Sequence, residues 1–362
     1  MSLLVSHLSL SDFRNIPSSE IDLDEGMNVF VGPNATGKTN TIEALQLLTA
    51  GASFKHPRPS ELVRQGCEAG KAAARIEGDG RVIDVSCVVT PRSKRFERNG
   101  KHAAPKDIPR TLMSVLFSPD DLLFVKGGAS WRRQELDDFA SQANEGYSRL
   151  LSTYQRAIRQ RNRLLKEDPV DLSLLDAWDE SISIGAAALL ASRVRLVGRL
   201  EGHLREAYAA IADGEPISCS YVCTLGIDPA GVPKEELAEL MRRRLAEGRA
   251  DELRRQQTLV GPHLDDVSFA IDGRDARTYA SQGQQRSVVL AWKLAEVRVS
   301  EDVTGSQPLL LLDDVMSELD ARRRAAISAL VGNGLQAVVT TTNLGYFADD
   351  LLAEANVVPF GG

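Results

Sequence analysis

Alternating apolar and polar positions fill much of the first third of the chain. This two-residue period is typical of strands that bury one face. The predicted strands cover residues 3–10, 19–23, 27–31, 71–77 and 81–90. Residues 92–102 continue the pattern around Asn99-Gly100, a pair that tolerates the positive φ of a tight hairpin turn. The pattern therefore predicts an antiparallel sheet in this part of the chain.

From about residue 130 the apolar period changes from 2 to 3.6, which is typical of amphipathic helices. The first stripe predicts one long helix, ended by Asp168-Pro169. Its apolar positions are Leu136, Phe139, Ala143, Tyr147, Leu150, Tyr154, Ile158 and Leu165. A second stripe runs from Trp178 to Ile211, and a third helix is predicted to begin near Pro233. Residues 121–258 are therefore predicted to form an all-helical block.

Strand patterns return after His263. The apolar runs at residues 308–313 and 337–341 are of the kind found in buried parallel strands. We therefore expect an α/β fold in which residues 1–120 and 259–362 form one discontinuous domain. The helical insertion at 121–258 would interrupt it.

The composition is that of a soluble protein with an acidic balance. The 362 residues carry a formal net charge of −7, and the pI is about 5.4. No apolar run approaches the ~20 residues that span a bilayer, and the N-terminus lacks the pattern of a secretory signal. We expect a cytoplasmic protein with no membrane partner. Any binding of nucleic acid must come from local basic patches.

Residues 32–39 read Gly-Pro-Asn-Ala-Thr-Gly-Lys-Thr and lie between a predicted strand and a predicted helix. This is the context that the phosphate-binding pattern GxxxxGK[ST] requires. Backbone N–H groups and the helix dipole would hold the phosphates. Lys38 would reach the β and γ phosphates, and the Thr39 hydroxyl would hold Mg²⁺. The predicted ATP-binding residues of this loop are Gly32, Pro33, Asn34, Ala35, Thr36, Gly37, Lys38 and Thr39.

A second motif, Asp313-Asp314, follows four consecutive leucines. The leucines predict a buried strand whose carboxyl end presents Asp313, where open α/β sheets place their ligands. We expect Asp313 to hold the metal ion and Asp314 to act on the attacking water. Because both motifs must meet at one metal ion, we expect their two strands to lie side by side.

A third motif, Ser281-Gln282-Gly283-Gln284, opens a predicted helix. Ser281 is a good N-cap, and Gly283 allows close approach to the backbone, so this helix start is a second candidate anion site. A capped helix is commonplace by itself. Together with the other two motifs, it indicates a nucleotide that is shared between two sites.

These motifs resemble those of ABC-type ATPases, with 281–284 as signature and Ser317-Glu318-Leu319-Asp320 as D-loop. The order of P-loop, helical insertion, signature and acidic motif resembles the SMC-like branch of that class. Within it the chain resembles the RecF family of bacterial recombination mediators over essentially its whole length. The stretches that carry the likeness are Phe13-Arg14-Asn15, Ser118-Pro119-Asp120-Asp121-Leu122, Lys126-Gly127-Gly128, Trp131-Arg132-Arg133, Gly261-Pro262-His263-Leu264-Asp265-Asp266 and 311–320.

The resemblance implies an ABC-type ATPase head that forms an ATP-dependent homodimer. Each ATP would contact one subunit's P-loop and Arg14, and Ser281, Gly283 and Gln284 of the other subunit. It also implies binding to gapped or duplex/single-strand DNA and slow, DNA-stimulated hydrolysis. The resemblance further implies partners of the RecO and RecR type and, indirectly, RecA. It implies roles in recombinational repair, replication and the SOS response.

The chain departs from the ABC pattern at several positions. Asp314 replaces the usual glutamate, which fits slow hydrolysis, and Gln282 replaces a signature glycine. Ala35 stands where glycine is common, a change we expect to be tolerated if φ there is negative. No histidine follows 338–339, and Thr340, Thr341, Thr342 and Asn343 remain alternatives. No glutamine occurs at residues 117–122 to complete the metal site.

Two basic patches stand out against the acidic background. One lies on the predicted hairpin and comprises Arg92, Lys94, Arg95, Arg98 and Lys101. The other lies on the first long helix and comprises Arg149, Arg156, Arg159, Arg161, Arg163 and Lys166. Contacts from such side chains to phosphates would give affinity without sequence preference. A solvated helix face is the alternative for the second patch.

Two other classes of protein share parts of this pattern. A structural DNA tether of the SMC type needs far longer heptad arms than the helical block provides. The ATPase subunit of a membrane transporter shares the P-loop and signature. The missing histidine, the insertion and the basic hairpin count against it.

Overall fold

The computed structural model of the protein describes residues 3–212, 214–332 and 334–361. Its strands are β1 (Leu4–Phe13), β2 (Ile16–Asp22), β3 (Met27–Val31), β4 (Gly70–Gly78), β5 (Arg81–Thr90), β6 (Ser93–Arg98), β7 (Lys101–Ala103), β8 (Ser114–Phe117), β9 (Ile217–Val222), β10 (Asp266–Ile271), β11 (Arg274–Asp275), β12 (Leu309–Asp313), β13 (Ala337–Thr341) and β14 (Asn356–Pro359). Its α-helices are α1 (Lys38–Ala50), α2 (Pro59–Leu62), α3 (Ala129–Ala143), α4 (Glu145–Leu164), α5 (Leu172–Ile211), α6 (Lys234–Arg255), α7 (Ala276–Tyr279), α8 (Gln282–Thr304), α9 (Ala321–Gly332) and α10 (Asp349–Ala353).

The predicted hairpin is confirmed in position and in turn chemistry. β6 and β7 pair antiparallel, with Arg98 opposite Lys101. Asn99 and Gly100 form the turn with φ values of 51° and 72°, so both residues have the positive φ that the sequence pattern required.

The prediction of one long helix up to Asp168-Pro169 is wrong, because the chain breaks at Asn144. This residue has extended backbone angles, φ −150° and ψ 111°. Its side chain accepts hydrogen bonds from the backbone N–H groups of Gly146 and Tyr147. Asn144 therefore ends α3 and caps α4, a role for which asparagine is well suited.

The chain forms two compact units. The first unit comprises the described residues up to Leu122, a short segment from Ala207, and those from Arg286 onward. The second unit comprises Leu123–Glu206 and Gly214–Gln285. The sequence predicted that the chain re-enters the first domain at residue 259, but the second unit extends to Gln285. The reason is that β10 pairs antiparallel with β9, which is also in the second unit. The insertion also differs from the all-helical expectation, since β9 lies within 121–258.

The first unit contains two sheets with α1 between them. One sheet is antiparallel in the order β2-β1-β4-β5-β6-β7, and the other is parallel in the order β14-β3-β13-β12-β8. Apolar side chains of α1, of which Ile42, Leu45 and Leu48 are fully buried, join strands of both sheets in one core. This core fixes the start of α1 at the carboxyl ends of the parallel strands.

The expectation that the P-loop strand and the acidic strand lie side by side is wrong. β13 lies between β3 and β12, pairing parallel with each. Thr340 is in register with Asp313 on one side and with Phe30 on the other. The two motifs therefore meet across the end of a third strand.

The second unit packs its helices around an apolar core that includes Tyr154, Ile182, Leu189 and Leu245. Fully buried charges accompany this core. Arg161 donates to Asp179 Oδ1 and to Glu252 Oε2, each at 2.6 Å. Removing either acidic partner would leave the buried Arg161 charge less compensated, which is destabilising.

One helix, α5, is long and apolar enough to cross a membrane by length and composition, with a mean hydropathy of 1.3 over its most apolar window. This differs from the expectation drawn from the apolar runs. Core helices of soluble proteins meet the same criteria, and Ile182, Leu189, Leu200 and Leu204 of α5 are completely buried. The helix is therefore only weak evidence for a membrane span.

Candidate nucleotide-binding site

The P-loop leaves β3 and enters α1 in a conformation that requires glycine at two positions. Gly37 has φ 104°, and a Cβ there would lie 3.2 Å from the Ile16 side chain. A Cβ on Gly32 would lie 2.1 Å from the carbonyl oxygen of Phe360, which follows β14. Both glycines therefore allow the loop backbone to approach its neighbours closely.

Lys38 lies at the first position of α1 and is almost fully buried, with 7% of its surface exposed. Its Nζ donates to the carbonyl oxygens of Gly32 and Pro33, at 2.6 and 2.7 Å. The ammonium group therefore lies against the loop itself. A phosphate held by this loop would compete for the same donor.

The sequence led us to expect Ala35 to be tolerated if its φ was negative, but its φ is 68°. A β-carbon is unfavourable in this left-handed region. Asn15 supports the loop at this point, since its Nδ2 donates to the Ala35 carbonyl at 3.2 Å. Asn15 Oδ1 also accepts from Asn40 Nδ2 at 2.7 Å. The sequence indicated Asn15 only as part of Phe13-Arg14-Asn15, and no local pattern predicted this contact.

The acidic motif lies next to the P-loop. Thr39 Oγ1 donates to Asp313 Oδ1 at 2.8 Å, across 274 positions of sequence. Asp313 is 4% exposed and ends β12. Thr340 Oγ1 donates to the same Asp313 oxygen at 2.8 Å and accepts from the backbone N–H of Asp314 at 2.9 Å. Threonine hydroxyls from two different elements thus meet at one carboxylate.

The pKa of Asp314 is raised above its ordinary value. Partial burial is the main cause, and the neighbouring Asp313 carboxylate adds to it, while Lys38 acts in the opposite direction. A carboxylate with a raised pKa is the stronger base. The surroundings of Asp314 therefore suit a group that orients or deprotonates water.

The donor set at this point fits Mg²⁺. Thr39, Asp313 and Asp314 supply hydroxyl and carboxylate oxygens, the ligands that a hard cation prefers. In the part of the chain that the structure describes, no group of three or more His, Cys, Asp or Glu side chains could hold a metal. Mg²⁺ is commonly held by one or two protein side chains together with substrate phosphates, and Thr39 and Asp313 could supply such ligands.

The donors of Arg14 are bonded elsewhere. Its guanidinium forms two hydrogen bonds with the buried Glu43 carboxylate, at 2.6 and 2.8 Å, and a third with the Glu61 carbonyl. Glu43 also accepts from Ser53 Oγ at 2.6 Å. These contacts anchor the turn after β1 to α1. Nucleotide binding by Arg14 stays a prediction.

The signature segment lies in the second unit and begins α8. Gln284 N donates to Ser281 Oγ at 3.2 Å, and Ser281 N donates to Gln284 Oε1 at 2.8 Å, which is a capping box. Gln284 Nε2 also donates to both oxygens of Glu215, at 2.9 and 3.0 Å. Ser281 is exposed, whereas Gly283 and Gln284 are half-buried. The cap predicted from the sequence is confirmed.

The segment after β8 contains no glutamine, and the Asp121 carboxylate there is bonded both within the segment and to a distant lysine. Asp121 accepts from the Ser118 backbone N–H at 2.6 Å, and its other oxygen lies 3.4 Å from Lys293 Nζ. Because β8 pairs with β12, this segment follows a strand beside the acidic strand.

Comparisons with known proteins agree with this geometry. The family model described as the RecF/RecN/SMC N terminal domain matches residues 4–350. The "DNA replication and repair protein RecF" of Heliobacterium modesticaldum is 36% identical over 360 residues, which covers 98% of this chain and 96% of the relative. The RecF protein of Symbiobacterium thermophilum is 41% identical over 348 residues, covering 94% and 92%. The chain belongs to the RecF family.

Solved structures give the same family. A structure described as the recombination mediator protein RecF-ATPrS in the RecFOR pathway superimposes with a TM-score of 0.90 at 29% identity, covering 100% of this chain and 99% of that one. The corresponding RecF-ATP structure gives 0.86 at 30% identity, with 94% of each chain covered. An Smc head domain from Pyrococcus furiosus, at 16% identity and a TM-score of 0.55, shares the fold alone. The predicted ABC-type ATPase fold of the SMC-like branch is confirmed.

The basic hairpin of this RecF-family chain does not present all its charges on one face. Lys94 and Arg98 lie on one face of β6, and Arg95 lies on the opposite face, because successive side chains of a strand alternate. Arg92, Arg95, Arg98 and Lys101 are exposed, and Lys94 is half-buried. Arg95 forms an ion pair with Glu97. DNA contact by these residues stays a prediction.

The basic helix patch corresponds to α4 and loses one member. Arg161 is completely buried in its pair of ionic bonds, so the expectation that it lies on a basic surface is wrong. The other members are exposed: Arg149, Arg156, Arg159 and Arg163 on α4, and Lys166 in the turn that follows it. Among the described residues, Arg149 pairs with Glu145, whereas Arg156, Arg159 and Arg163 form no ion pair.

Proposed function

We propose that this chain is an ATP-dependent DNA-binding protein of recombinational repair whose weak ATPase activity controls a homodimer. The observation that carries the proposal is the 2.8 Å hydrogen bond between Thr39 and Asp313, which joins the P-loop to the acidic strand. The names of the RecF relatives, and the ATP named with the solved RecF structures, support the same function.

Binding of ATP places its phosphates over the backbone N–H groups of the P-loop at the start of α1. Lys38 then exchanges the carbonyl oxygens of Gly32 and Pro33 for the β and γ phosphates. This exchange is favourable because a charged acceptor forms the stronger hydrogen bond with an ammonium group. Lys38 therefore stabilises the loop before ATP binds and contacts the phosphates afterwards.

Thr39 and Asp313 are the residues that would hold Mg²⁺, whose charge offsets the charge that develops on the phosphates. Asp314 orients the attacking water and accepts its proton. Its side chain is one methylene shorter than the glutamate usual in ABC enzymes. We therefore expect slow turnover, suited to a switch.

The first unit acts as the ATPase head, and the signature segment acts on a second subunit. Ser281 and Gly283 of one subunit contact the γ-phosphate held by its partner, and Gln284 supports them through the capping box. The exposure of Ser281 supports this role, since a residue acting on another subunit must be accessible.

DNA binds through phosphate contacts to the exposed arginines of α4, which are Arg156, Arg159 and Arg163, and to the β6–β7 hairpin. Gapped or duplex/single-strand DNA is the proposed ligand, and RecO- and RecR-type proteins are the proposed partners, through which RecA is loaded. The RecFOR pathway named with the solved RecF structures supports these partners. Action in the cytoplasm, with support of replication and the SOS response, belongs to the same proposal.

Light scattering tests the switch. The parent chain, Lys38→Met and Ser281→Arg are measured with and without ATP and Mg²⁺. We expect the parent mass to double only with Mg·ATP and both variants to stay monomeric, Lys38→Met because phosphate binding is lost and Ser281→Arg because the partner contact is blocked. A parent chain that binds ATP firmly and stays monomeric would refute the shared-nucleotide mechanism.

A further inference from the structure

Thr340 occupies the carboxyl end of β13, between the strand that leads into the P-loop and the strand that ends at Asp313. It is completely buried. Its hydroxyl donates to Asp313 Oδ1 at 2.8 Å and accepts from the backbone N–H of Asp314 at 2.9 Å. A hydroxyl has one hydrogen and two lone pairs, so both bonds form together. One side chain therefore contacts both acidic residues.

The backbone of Asp314 needs such support. Its φ is 53°, in the left-handed region that L-residues rarely adopt. Residues held in this region persist only when the surrounding structure determines their conformation. The bond from Asp314 N to Thr340 fixes the orientation of that peptide group. Because the Cα–Cβ direction follows from the backbone conformation, Thr340 thereby helps to set the orientation of the Asp314 side chain.

Thr340 also holds Asp313 independently of the P-loop. Asp313 Oδ1 accepts from Thr39 as well, at 2.8 Å. The Thr340 hydroxyl belongs to β13, so its bond to Asp313 does not involve the P-loop residue that would also hold Mg²⁺. Hydrogen bonds of this kind orient carboxylate ligands and change metal affinity when they are removed.

The neighbouring polar residues have other contacts. Thr341 Oγ1 donates to the Asn343 carbonyl at 3.0 Å and accepts from its N–H at 3.1 Å. The Asn343 side chain accepts from Gly345 N at 2.9 Å. Thr342 is exposed. Of the four alternatives that the sequence left open, all within the described residues, Thr340 is the one whose side chain forms hydrogen bonds with the acidic pair.

We propose that Thr340 is a positioning residue, which holds Asp313 for Mg²⁺ and Asp314 for the attacking water. This inference rests on the proposed ATPase function. It predicts that loss of the hydroxyl changes the Mg²⁺ requirement of nucleotide binding as well as the turnover rate. A residue that only filled space in the core would change neither quantity while its shape was preserved.

The test compares Thr340→Val, which keeps the shape and loses the hydroxyl, with Thr340→Ser, which keeps the hydroxyl. Binding of a fluorescent ATP analogue is titrated with Mg²⁺ at equilibrium, and kcat and KM are measured separately. We expect Thr340→Val to need about 10- to 100-fold more Mg²⁺, as for loss of other groups that orient metal ligands. Its kcat should fall more than its KM rises, and Thr340→Ser should stay close to the parent.

Unchanged Mg²⁺ dependence and kcat in folded Thr340→Val would overturn the inference, as would a serine variant that behaves like the valine variant. If Thr340→Val does not fold, Thr340→Ala supplies the same comparison with serine, with thermal unfolding recorded for each protein. A parent chain that binds the analogue without any Mg²⁺ effect and does not hydrolyse ATP would refute the proposed function itself. The two failures are therefore distinguishable.

Discussion

At the scale of single residues, the backbone at Ala35 departs from what its residue type prefers. Its φ of 68° lies where glycine is favoured, inside a loop that already contains glycines at 32 and 37. The bond from Asn15 to the Ala35 carbonyl helps to hold this conformation. Local strain at a ligand-binding loop is common when neighbouring contacts determine the conformation.

Replacing Ala35 by glycine should stabilise the protein. Removing the β-carbon relieves about 1–2 kcal/mol of strain in the left-handed region. The greater freedom of glycine in the unfolded chain opposes this gain by about 0.5–1 kcal/mol. We expect a net gain of about 0.5–1 kcal/mol in the free energy of unfolding, measured in urea. Ala52→Gly is the control, since Ala52 is exposed and has no positive φ. An equal effect of both substitutions would contradict this account of Ala35.

His263 connects stability to pH. Burial lowers its pKa to about 4, from an ordinary value of 6.5. Its Nδ1 lies 2.8 Å from the Tyr154 hydroxyl. Below pH 6.5 the unfolded chain takes up a proton that the folded chain accepts only near pH 4. Stability is therefore lost as pH falls from about 6.5 to 4.

The expected contribution of His263 at pH 5 is a loss of about 2 kcal/mol relative to pH 7. His263→Gln should remove this part of the pH dependence of unfolding in urea. The histidine itself can be followed by NMR titration. A ring that titrates near its ordinary value in the folded protein would show that His263 does not cause the acid sensitivity.

At the scale of elements, hydrophobic periodicity located β3, β5 and β13 with their observed bounds but joined α3 to α4. The reason is that one apolar stripe can continue past the residue that separates two consecutive helices. Only the backbone of Asn144 marks the break. The charge pattern also predicted a basic surface on α4 that included Arg161, because the charge of a residue does not show whether it is buried. The partners Asp179 and Glu252 lie far away in the sequence.

The exposed stripe of α4 gives a test at this scale. Replacing Arg156, Arg159 and Arg163 together by glutamine should weaken binding to duplex DNA. Each lost phosphate contact lowers the slope of log affinity against log salt by about 0.9, so the slope should fall by up to about 3. Arg205→Gln on α5 is the control, because Arg205 is exposed and paired with Glu201 at 2.6 Å. A folded triple variant with the parent salt slope would exclude α4 as the DNA-binding surface.

At the scale of the whole molecule, the proposed site needs parts of two subunits. The P-loop and the acidic motif meet within the first unit, whereas Ser281 belongs to the second unit. A nucleotide shared between subunits would explain why the signature serine is exposed. This arrangement predicts complementation between variants that are each inactive.

Mixing Lys38→Met with Ser281→Arg should restore ATPase activity. In a heterodimer, one site combines the intact P-loop of one subunit with the intact signature of the other. Since neither variant is expected to form a dimer by itself, the dimers in the mixture are mixed, and each has one working site of two, so we expect up to about half of the parent activity. Each variant measured alone is the control. A mixture no more active than its components would contradict the shared site.

The sequence by itself determined the local features: the P-loop, the capped signature helix, the hairpin turn at Asn99-Gly100 and the strand that presents Asp313. These follow from the preferences of adjacent residues, since positive φ, capping and strand period are read over a few positions. The family likeness also came from such local motifs, and the comparisons confirmed it.

The tertiary structure alone decided which distant residues meet. It placed β13 between the two nucleotide motifs, so that Thr340 contacts Asp313 and Asp314. It buried Arg161, and it gave Ala35 a positive φ. Strand order, burial and loop conformation depend on contacts between residues far apart in the chain. A pattern read along one segment contains no information about those partners.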